Sequence, residues 1–491
     1  MSTTHLEFSS FRAGHGPVER TIDDDDAAAR LANPAAAVRS AAPTAERAHR
    51  SGITAATAAV WRERGALDPD LIADAFDTGF ERRSPTSDPF EPRVGKWAAV
   101  VLREDEAAAK AALAPLLELR HNEGVAFSPE GSTPGLVVLE RPAADKPVLW
   151  EEELRKAAGP PPHHLLLLGG PERFPFGVVS WWSARRIVGV LDVADDPLGP
   201  LSWSAVHRYA RKVCDCSARQ LERSRQALVY AFRSDAATRR SHDKLAIPLL
   251  RHLDEQVRHL PALPPVRLLG DDATTQNLLA ALGVERSPAV VFTCTHGIEY
   301  PDDLRHWGAL TSIDHTEPPG CPLSVDLVTA GEPFAEGGVV FAFACFSAGI
   351  PETSAILEIL SPQQHEPAQV PRIAPLPRLV LGQDRGPLAF IGHVDRASTN
   401  SFAGFDGPAA FRDFADWVLG GFGTIGQGMS TFCEEALRAA DDLAVVLNPD
   451  MASTSQQKVA AWVRRLDTAG WLLLGDPCVR LFPGPGGERS G

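Results

Sequence analysis

From residue 97 onward, short apolar blocks alternate with longer amphipathic segments. The blocks at 97–102, 135–140 and 163–170 are dense in Val, Leu and Ala, a pattern that predicts buried strands. Helical composition fills the segment 104–120 and, after the third block, a long segment at 202–227. Because strands and helices alternate, the pattern predicts an α/β fold with a mainly parallel sheet and helices on both faces.

The same alternation returns in the second half of the chain. Strands are predicted there at 266–270, 289–297, 387–394 and 471–477, the last as a closing or edge strand. Helices are predicted at 274–283, 351–360, 408–420, 427–441 and 454–468. Pro351 suits the first turn of its helix, where no backbone N–H is needed, and a hairpin is predicted at 323–345.

The first 92 residues differ in composition from the rest. They are rich in Ala, Arg, Asp and Pro, with an aspartate run at 23–26 and helical patterns at 25–32 and 44–64. The polar, proline-rich segment 82–93 has the composition of a linker. A chain of 491 residues is expected to form two or three domains. We expect an N-terminal appendage at 1–92, a smaller α/β subdomain at 93–235, a larger α/β domain at 236–482 and a disordered tail at 483–491.

Composition and charge narrow the classes of function. The formal charge of -15 argues against a nucleic-acid-binding surface, which would need basic patches. The first residues lack the basic and apolar stretches of a signal peptide, and no apolar run approaches the roughly 20 residues of a membrane helix. Seven cysteines at irregular spacing do not form a disulfide pattern. We therefore expect a cytoplasmic protein whose thiols stay reduced and that binds neither membranes nor nucleic acid.

Two predicted strands end in residues that can carry chemistry. The segment VVFTCTHG ends at His296 and Gly297, and the segment GGVVFAFACFSAG carries Cys345 at its turn. In open α/β sheets, reactive groups gather at the carboxyl ends of the strands. A His and a Cys at two such ends predict one thiol-based active site. The structural alternative is that Cys345 is a small buried apolar residue, as most cysteines are.

The spacing of these two residues favours the thiol site. His296 precedes Cys345 by 49 residues, close to the roughly 50 residues that separate the two groups in caspases. With FTCTHG and FAFACFSAG in these places, the chain resembles the caspase-like cysteine peptidases, in their bacterial gingipain-type and CHAT-domain branch. Further segments that are similar to the same branch lie at 165–177, 388–402 and 472–481. The likeness covers about 163–481.

The resemblance implies a fold, an activity and the roles of individual residues. The fold would be the caspase-like sheet, preceded by a non-catalytic α/β subdomain. Cys345 would be the nucleophile that forms an acyl-enzyme, and His296 the acid–base group that protonates the departing amine. The backbone N–H groups of Gly297 and Cys345 would form the oxyanion hole. The implied activity is that of a cysteine endopeptidase on proteins or peptides, with no cofactor, no metal and no required third triad residue.

A second stretch, GHVDRA, follows another predicted strand, so His393 and Asp395 could lie on the same rim. In the family this stretch lies near the specificity pocket, and an acidic group there would suit a Lys or Arg side chain of the substrate. Ser398 stands where the family has an aromatic residue. The alternative for Asp395 is structural, either as a partner of Arg396 or as a helix cap.

Other motifs are weaker. GFGTIG at 421–426 follows a helical pattern instead of a strand, which argues against a dinucleotide site. Cys214 and Cys216 lack the second cysteine pair of a zinc site. Cys294 is an alternative nucleophile to Cys345, although a core role suits it better.

Three functions remain open: a regulated endopeptidase, a caspase-like scaffold without catalysis, and another thiol enzyme such as an acyl transferase or amidase. Bacterial relatives act in signalling or anti-phage defence. By analogy, residues 1–92 would be a regulatory or docking segment for an activating protein.

Overall fold

A computed structural model describes residues 5–12 and 16–21 as backbone strands, and then residues 89–129, 132–219, 224–257, 262–284, 287–299, 303–313, 323–328, 331–360, 369–402, 408–448 and 453–482. The helices expected at 25–32 and 44–64, the aspartate run and the tail at 483–491 lie outside the described residues. In the part of the chain that is described, no helix combines the length and the apolar character needed to cross a bilayer.

The strands are β1 (His5–Arg12), β2 (Gly16–Thr21), β3 (Trp97–Leu102), β4 (Leu136–Leu139), β5 (His164–Leu168), β6 (Ile187–Leu191), β7 (Ala227–Ala231), β8 (Val266–Leu269), β9 (Val290–Cys294), β10 (Gly297–Glu299), β11 (Val339–Phe343), β12 (Gly349–Ile350), β13 (Arg372–Ile373), β14 (Ala389–His393) and β15 (Trp471–Gly475). The α-helices are α1 (Pro92–Gly95), α2 (Glu106–Asn122), α3 (Pro147–Ala158), α4 (Phe176–Ser183), α5 (Trp203–Ala218), α6 (Ala236–Ser241), α7 (Ile247–Gln256), α8 (Thr275–Leu282), α9 (Ala355–Leu360), α10 (Pro375–Gly382), α11 (Ala409–Gly420), α12 (Ile425–Gly428), α13 (Ser430–Leu447) and α14 (Ser455–Ala469). A π-helical turn joins α6 to α7.

Ten of the described strands form one sheet in the order β4-β3-β5-β6-β15-β14-β11-β9-β7-β8. Within each half the neighbours are parallel, except that β15 runs antiparallel to β14. The predicted α/β class and the mostly parallel sheet are confirmed. The central strands are apolar along their whole length because helices cover both faces, and every residue of β3, β5, β9 and β11 is buried.

The two halves of the sheet share one chain order. The first half consists of β3 to β6, and the second half consists of β7, β8, β9, β11 and β14. In both halves the strand that comes first in the chain lies between the second and the third. The order is β4-β3-β5-β6 in the first half and β8-β7-β9-β11-β14 in the second. The strand β15 joins the halves, pairing with β14 along its length and with β6 at Leu474 and Val190. The closing strand is therefore an interior strand of a continuous sheet.

Aromatic side chains attach the C-terminal helices to one face of the second half. The ring of Phe341 on β11 lies 5.2 Å from both Phe411 and Phe414 on α11, and 5.3 Å from Phe432 on α13. Trp471 on β15 completes the cluster, 5.3 Å from the Phe341 ring. This packing holds rigid the strand that ends just before Cys345.

Several predicted boundaries differ from the structure. The helix expected at 202–227 ends at Ala218, and its last residue instead opens the strand β7. Because β7 pairs with β8 and β9, it belongs to the second half, and the halves divide before residue 227 instead of at 235. The helical pattern of this segment continues without a turn signal into the apolar run of β7, and periodicity does not distinguish a short apolar strand from a helix.

The hairpin predicted at 323–345 is wrong. Leu323 pairs with Leu310, and β11 is a central parallel strand between β9 and β14. The helix predicted at 351–360 begins only at Ala355, so Pro351 precedes it instead of opening its first turn. Two short strands flank this helix in the chain, β12 (Gly349–Ile350) before it and β13 (Arg372–Ile373) after it, and they pair with each other in antiparallel fashion.

A second small sheet lies beside the end of β9. There β1 pairs antiparallel with β2 and parallel with β10, with Ser10 opposite Gly297 and Arg12 opposite Glu299. The backbone of β1 therefore runs along the segment that directly follows His296.

Candidate active site

The sheet register brings His296 and Cys345 together. β9 and β11 are neighbouring parallel strands in which Cys294 lies opposite Phe343. His296 and Cys345 each follow two residues later, past the carboxyl ends of the two strands. The N–H of Thr295 donates to the Phe343 carbonyl at 3.1 Å, which continues the pairing to the edge of the site. The two residues singled out by sequence are therefore adjacent.

The site lies where the strand order of the second half reverses. The chain first crosses from β7 to β8 on one side, then returns to β9 on the other side of β7. In open α/β sheets, ligands bind at the carboxyl ends of the strands at such a point. His296 follows β9 and Asp235 follows β7, the two strands between which the order reverses.

Gly297 allows a close approach of two backbones. A Cβ atom at position 297 would lie only 1.7 Å from the carbonyl oxygen of Cys345 and 3.0 Å from its nitrogen. No side chain larger than hydrogen fits there. The two peptide groups assigned to the oxyanion hole are thus in direct contact, and their role as donors stays a prediction.

Asp235 is a functional candidate that the sequence analysis missed. Its Oδ2 atom lies 2.6 Å from Nε2 of His296, and both side chains are buried. Its Oδ1 accepts the N–H of Thr238 at 2.9 Å and so caps α6. Burial would raise the pKa of Asp235, but the hydrogen bond and charge of His296 outweigh it and hold that pKa well below its usual range.

The backbone of His296 is also fixed. Its N–H donates to Oγ1 of Thr311 at 3.2 Å, and its carbonyl accepts the Thr311 N–H at 3.0 Å. With Asp235 holding one ring nitrogen, the imidazole has a defined orientation. The signal for Asp235 in the sequence is its place directly after an apolar block, in the segment VYAFRSD. This block follows the helix predicted at 202–227, and no strand is predicted for it.

The thiol of Cys345 faces the loop after β14. Its Sγ atom accepts the N–H of Ala397 at 3.2 Å and lies 3.6 Å from the Ala397 carbonyl oxygen. The residue has no exposed surface. Burial raises the pKa of this thiol above its usual range, while the positive charge of Arg396 and the Ala397 N–H act in the opposite direction. The site is therefore closed, and its burial favours the protonated form of the thiol.

Phe346, directly after Cys345, has a left-handed backbone with φ of 55°. For a bulky residue this conformation carries strain, and such strain concentrates at functional sites. Its ring is buried and packs edge-on against Trp307, with centroids 5.8 Å apart. The packing of the ring stabilises the turn in this strained form.

The structure places His393 and Asp395 in the core beside this turn. Asp395 accepts hydrogen bonds from Oγ of Ser354 at 2.6 Å and from the Arg396 N–H at 2.7 Å, just ahead of α9. His393 is fully buried, and its Nε2 lies 2.8 Å from the Asp467 carbonyl oxygen. These contacts match the structural alternative for Asp395. A substrate-binding role for either residue stays a prediction.

The loop that contacts the thiol is anchored from behind by Asp467 on α14. Its carboxylate accepts the N–H of Ser398 at 2.7 Å and the hydroxyl of Ser401 at 2.7 Å. Burial raises the pKa of Asp467 to about 6, although His393 and these donors oppose the shift. The loop is thus held on both sides, by the Cys345 turn and by α14.

The remaining candidates have structural surroundings. Cys294 lies within β9, where burial raises the pKa of its thiol to about 12. In the GFGTIG segment, Gly421 ends α11 with φ of 70° and Thr424 caps α12. Among the described residues, no group of three or more His, Cys, Asp or Glu side chains is arranged to hold a metal ion.

Comparison with known proteins adds no family to this geometry. No protein-family model matches the chain, and no curated protein matches it in sequence.

Proposed function

We propose that this protein is a cysteine endopeptidase of the caspase-like type, with Cys345 as nucleophile and His296 as acid–base group. The observation that carries the proposal is the register of β9 and β11, which brings His296 and Cys345 to equivalent positions just past the carboxyl ends of two neighbouring strands. The buried contact between His296 and Asp235 supports it, because acyl transfer by a thiol needs an imidazole of fixed orientation.

The reaction would proceed in two steps. His296 takes the proton of the Cys345 thiol, the thiolate attacks the peptide carbonyl carbon, and a C–S bond forms as the carbonyl π electrons move to oxygen. Backbone N–H groups at Gly297 and Cys345 would stabilise that oxyanion. The C–N bond then breaks, and the amine leaves with a proton from the His296 imidazolium. In the second step His296 takes a proton from water, the resulting hydroxide attacks the thioester, and the acid and the free thiol are released.

The closed site favours a regulated enzyme. Cys345 is inaccessible and His296 is 2% exposed, so a substrate can reach them only after a rearrangement. Following the resemblance to the gingipain-type and CHAT-domain peptidases, we propose a bacterial role in signalling or defence. Activation by a partner that displaces the N-terminal segment fits the position of β1 along Gly297–Glu299.

The burial of the thiol also favours one alternative, a caspase-like scaffold that no longer cleaves peptides. A different thiol acyl-transfer enzyme is a third possibility, since the same two groups would serve it. The scaffold needs neither the Asp235–His296 contact nor the strained turn at Phe346, and both are better explained by catalysis.

The test is covalent labelling of the full chain with acyloxymethyl-ketone probes that carry Arg, Lys, Asp or Leu beside the reactive group. Wild type, Cys345→Ala, His296→Ala and the matched buried-thiol control Cys294→Ala are compared, each also without residues 1–21. We expect labelling at Cys345 in wild type and in Cys294→Ala, and its loss in the other two. Peptide cleavage should follow the same pattern.

Cleavage by Cys345→Ala at the wild-type rate would overturn the proposal. So would the absence of both labelling and cleavage in wild type and in the truncated chain. Labelling of Cys345 without cleavage of any peptide would favour the acyl transferase.

A further inference from the structure

A buried ion pair lies beside the candidate nucleophile. Nη2 of Arg396 is 2.6 Å from Oε2 of Glu299, and the two side chains are 1% and 2% exposed. Glu299 belongs to β10, directly after His296 and Gly297, whereas Arg396 belongs to the loop after β14. The pair therefore connects the loop behind the histidine with the loop that contacts the cysteine.

The loop 394–398 surrounds the Cys345 turn on the side of the thiol. The N–H of Phe346 donates to the Asp395 carbonyl at 2.9 Å, and the N–H of Ala397 donates to the Cys345 sulfur at 3.2 Å. Arg396 lies between these two contacts. Its guanidinium carbon lies 5.3 Å from the centroid of the Phe346 ring, the residue next to the nucleophile.

We propose that Arg396 is the charge that sets the acidity of the Cys345 thiol, and that Glu299 holds this charge in place while partly cancelling it. A buried ion pair contributes little to stability compared with apolar residues of the same volume. Placed beside a thiol that must ionise, it has a chemical use, since a nearby cation favours the thiolate.

Other charged groups of the described residues also lie around the thiol. Asp395, in the same loop as Arg396, has its carboxylate bonded to Ser354 and the Arg396 N–H. Glu299 approaches from β10. His296, at the end of β9, is paired with Asp235 at the start of α6. Asp395 and Glu299 both raise the pKa of Cys345, whereas Arg396 lowers it. Among the described residues, Arg396 is thus a cation that opposes the effect of burial on the thiol.

This inference deepens the proposed function, since an ionised Cys345 matters most if it is a nucleophile. The test nevertheless needs no substrate. The full chain is treated with iodoacetamide at a fixed, mildly alkaline pH, and alkylation at Cys345 is quantified by peptide mass spectrometry. Cys294, buried in β9, is quantified in the same samples as a reference for local opening. The variants are Arg396→Met, Arg396→Lys, Glu299→Gln and Arg396→Met with Glu299→Gln.

The alkylation rate follows the thiolate fraction, which changes about tenfold for each pKa unit. We expect Arg396→Met to slow alkylation of Cys345 by about tenfold, because a close cation is worth about one unit or more. Glu299→Gln should accelerate it, and Arg396→Lys should slow it less than Arg396→Met does, because Lys keeps the charge but not the planar guanidinium. The rate at Cys294 should not change.

Arg396→Met could unfold by leaving Glu299 unpaired, so the double variant keeps the test valid. It has no unpaired buried charge, and it should alkylate more slowly than Glu299→Gln alone. A purely structural pair would move the two single variants in the same direction and would move Cys294 with Cys345. Either result overturns the inference. Because no peptide is involved, failure of the peptidase assay leaves this test unaffected.

Discussion

The backbones of Gly297 and Cys345 touch: a Cβ added at Gly297 would lie 1.7 Å from the Cys345 carbonyl oxygen. Gly297→Ala must therefore displace the Cys345 turn or the loop behind His296. We expect labelling at Cys345 to be lost and the free energy of unfolding to fall by about 1–3 kcal/mol, the usual result of overpacking.

The matched control for this prediction is Gly177→Ala in α4, where an added Cβ meets no atom within 4 Å. It should leave labelling unchanged and stability equal or higher by up to about 1 kcal/mol, since Ala favours a helix. If the two variants had equal denaturation midpoints and equal labelling, the site at position 297 would accommodate a Cβ atom, and the prediction would be wrong.

The contact between Asp235 and His296 predicts that the carboxylate acts through the imidazole. Asp235→Asn keeps a capping oxygen for α6 but removes the charge, and it should lower kcat/KM by at most about 10²–10⁴-fold, the full range of acid–base catalysis. In a His296→Ala background the same substitution should have no further effect. A second loss of equal size there would mean that Asp235 has a separate role. Asp243→Asn, where the exposed Asp243 carboxylate contacts the buried His242, is the control.

Because the backbone at Phe346 is left-handed, we predict that Gly destabilises the protein less than Ala at this position, the reverse of the usual order. Both substitutions remove the ring, so their difference measures the backbone alone. At φ of 55°, Phe346→Gly should be more stable than Phe346→Ala by about 1 kcal/mol. At Phe343, within the regular strand β11, the order should be reversed. Chemical denaturation of the four variants measures this, and a more stable Ala at both positions would contradict the strain.

Two neighbouring histidines, the partly buried His163 and the buried His164 that opens β5, predict loss of stability in acid. Burial lowers the pKa of His163 to about 4 and that of His164 to about 3, whereas an unfolded chain takes up the proton near pH 6.5. Below that pH the unfolded state binds more protons, so stability falls as the pH drops toward the folded-state values.

The free energy of unfolding should therefore fall less on acidification in His164→Leu than in wild type. The difference should be on the order of 3 kcal/mol between neutral pH and the folded-state pKa values. The exposed His121→Gln is the control and should leave the curve unchanged. Denaturation midpoints that fall equally for all three proteins below pH 6 would assign the acid sensitivity to other groups.

The pairing of β1 with β10 predicts that the N-terminal residues restrict access to the site. Deleting residues 1–21 removes the strand beside Gly297–Glu299, and we expect alkylation of Cys345 to accelerate while alkylation of Cys294 stays constant. Deleting residues 483–491 is the matched control at the other end of the chain. Unchanged Cys345 reactivity in the first variant would show that β1 does not limit access.

The sequence predicted the residues of the site that stand in a short recognisable segment, but not the residues whose contact joins distant segments. The His296 and Cys345 segments are local patterns, an apolar strand followed at once by a reactive residue, and the geometry of parallel sheets already implied that they would meet. Asp235 lies 61 residues before His296 and Glu299 lies 97 residues before Arg396. No local pattern connects such partners, because their contact depends on the strand order and on the course of two loops.

The amino-acid sequence by itself determined the α/β class, most of the strands and the two candidate reactive residues, because apolar periodicity and strand-end chemistry are properties of short segments. Only the tertiary structure decided that β15 joins two half-sheets into one, that β7 opens the second half, and that the thiol is closed behind the 394–398 loop. These features arise from packing between segments far apart in the chain, where burial and hydrogen bonding outweigh local preference.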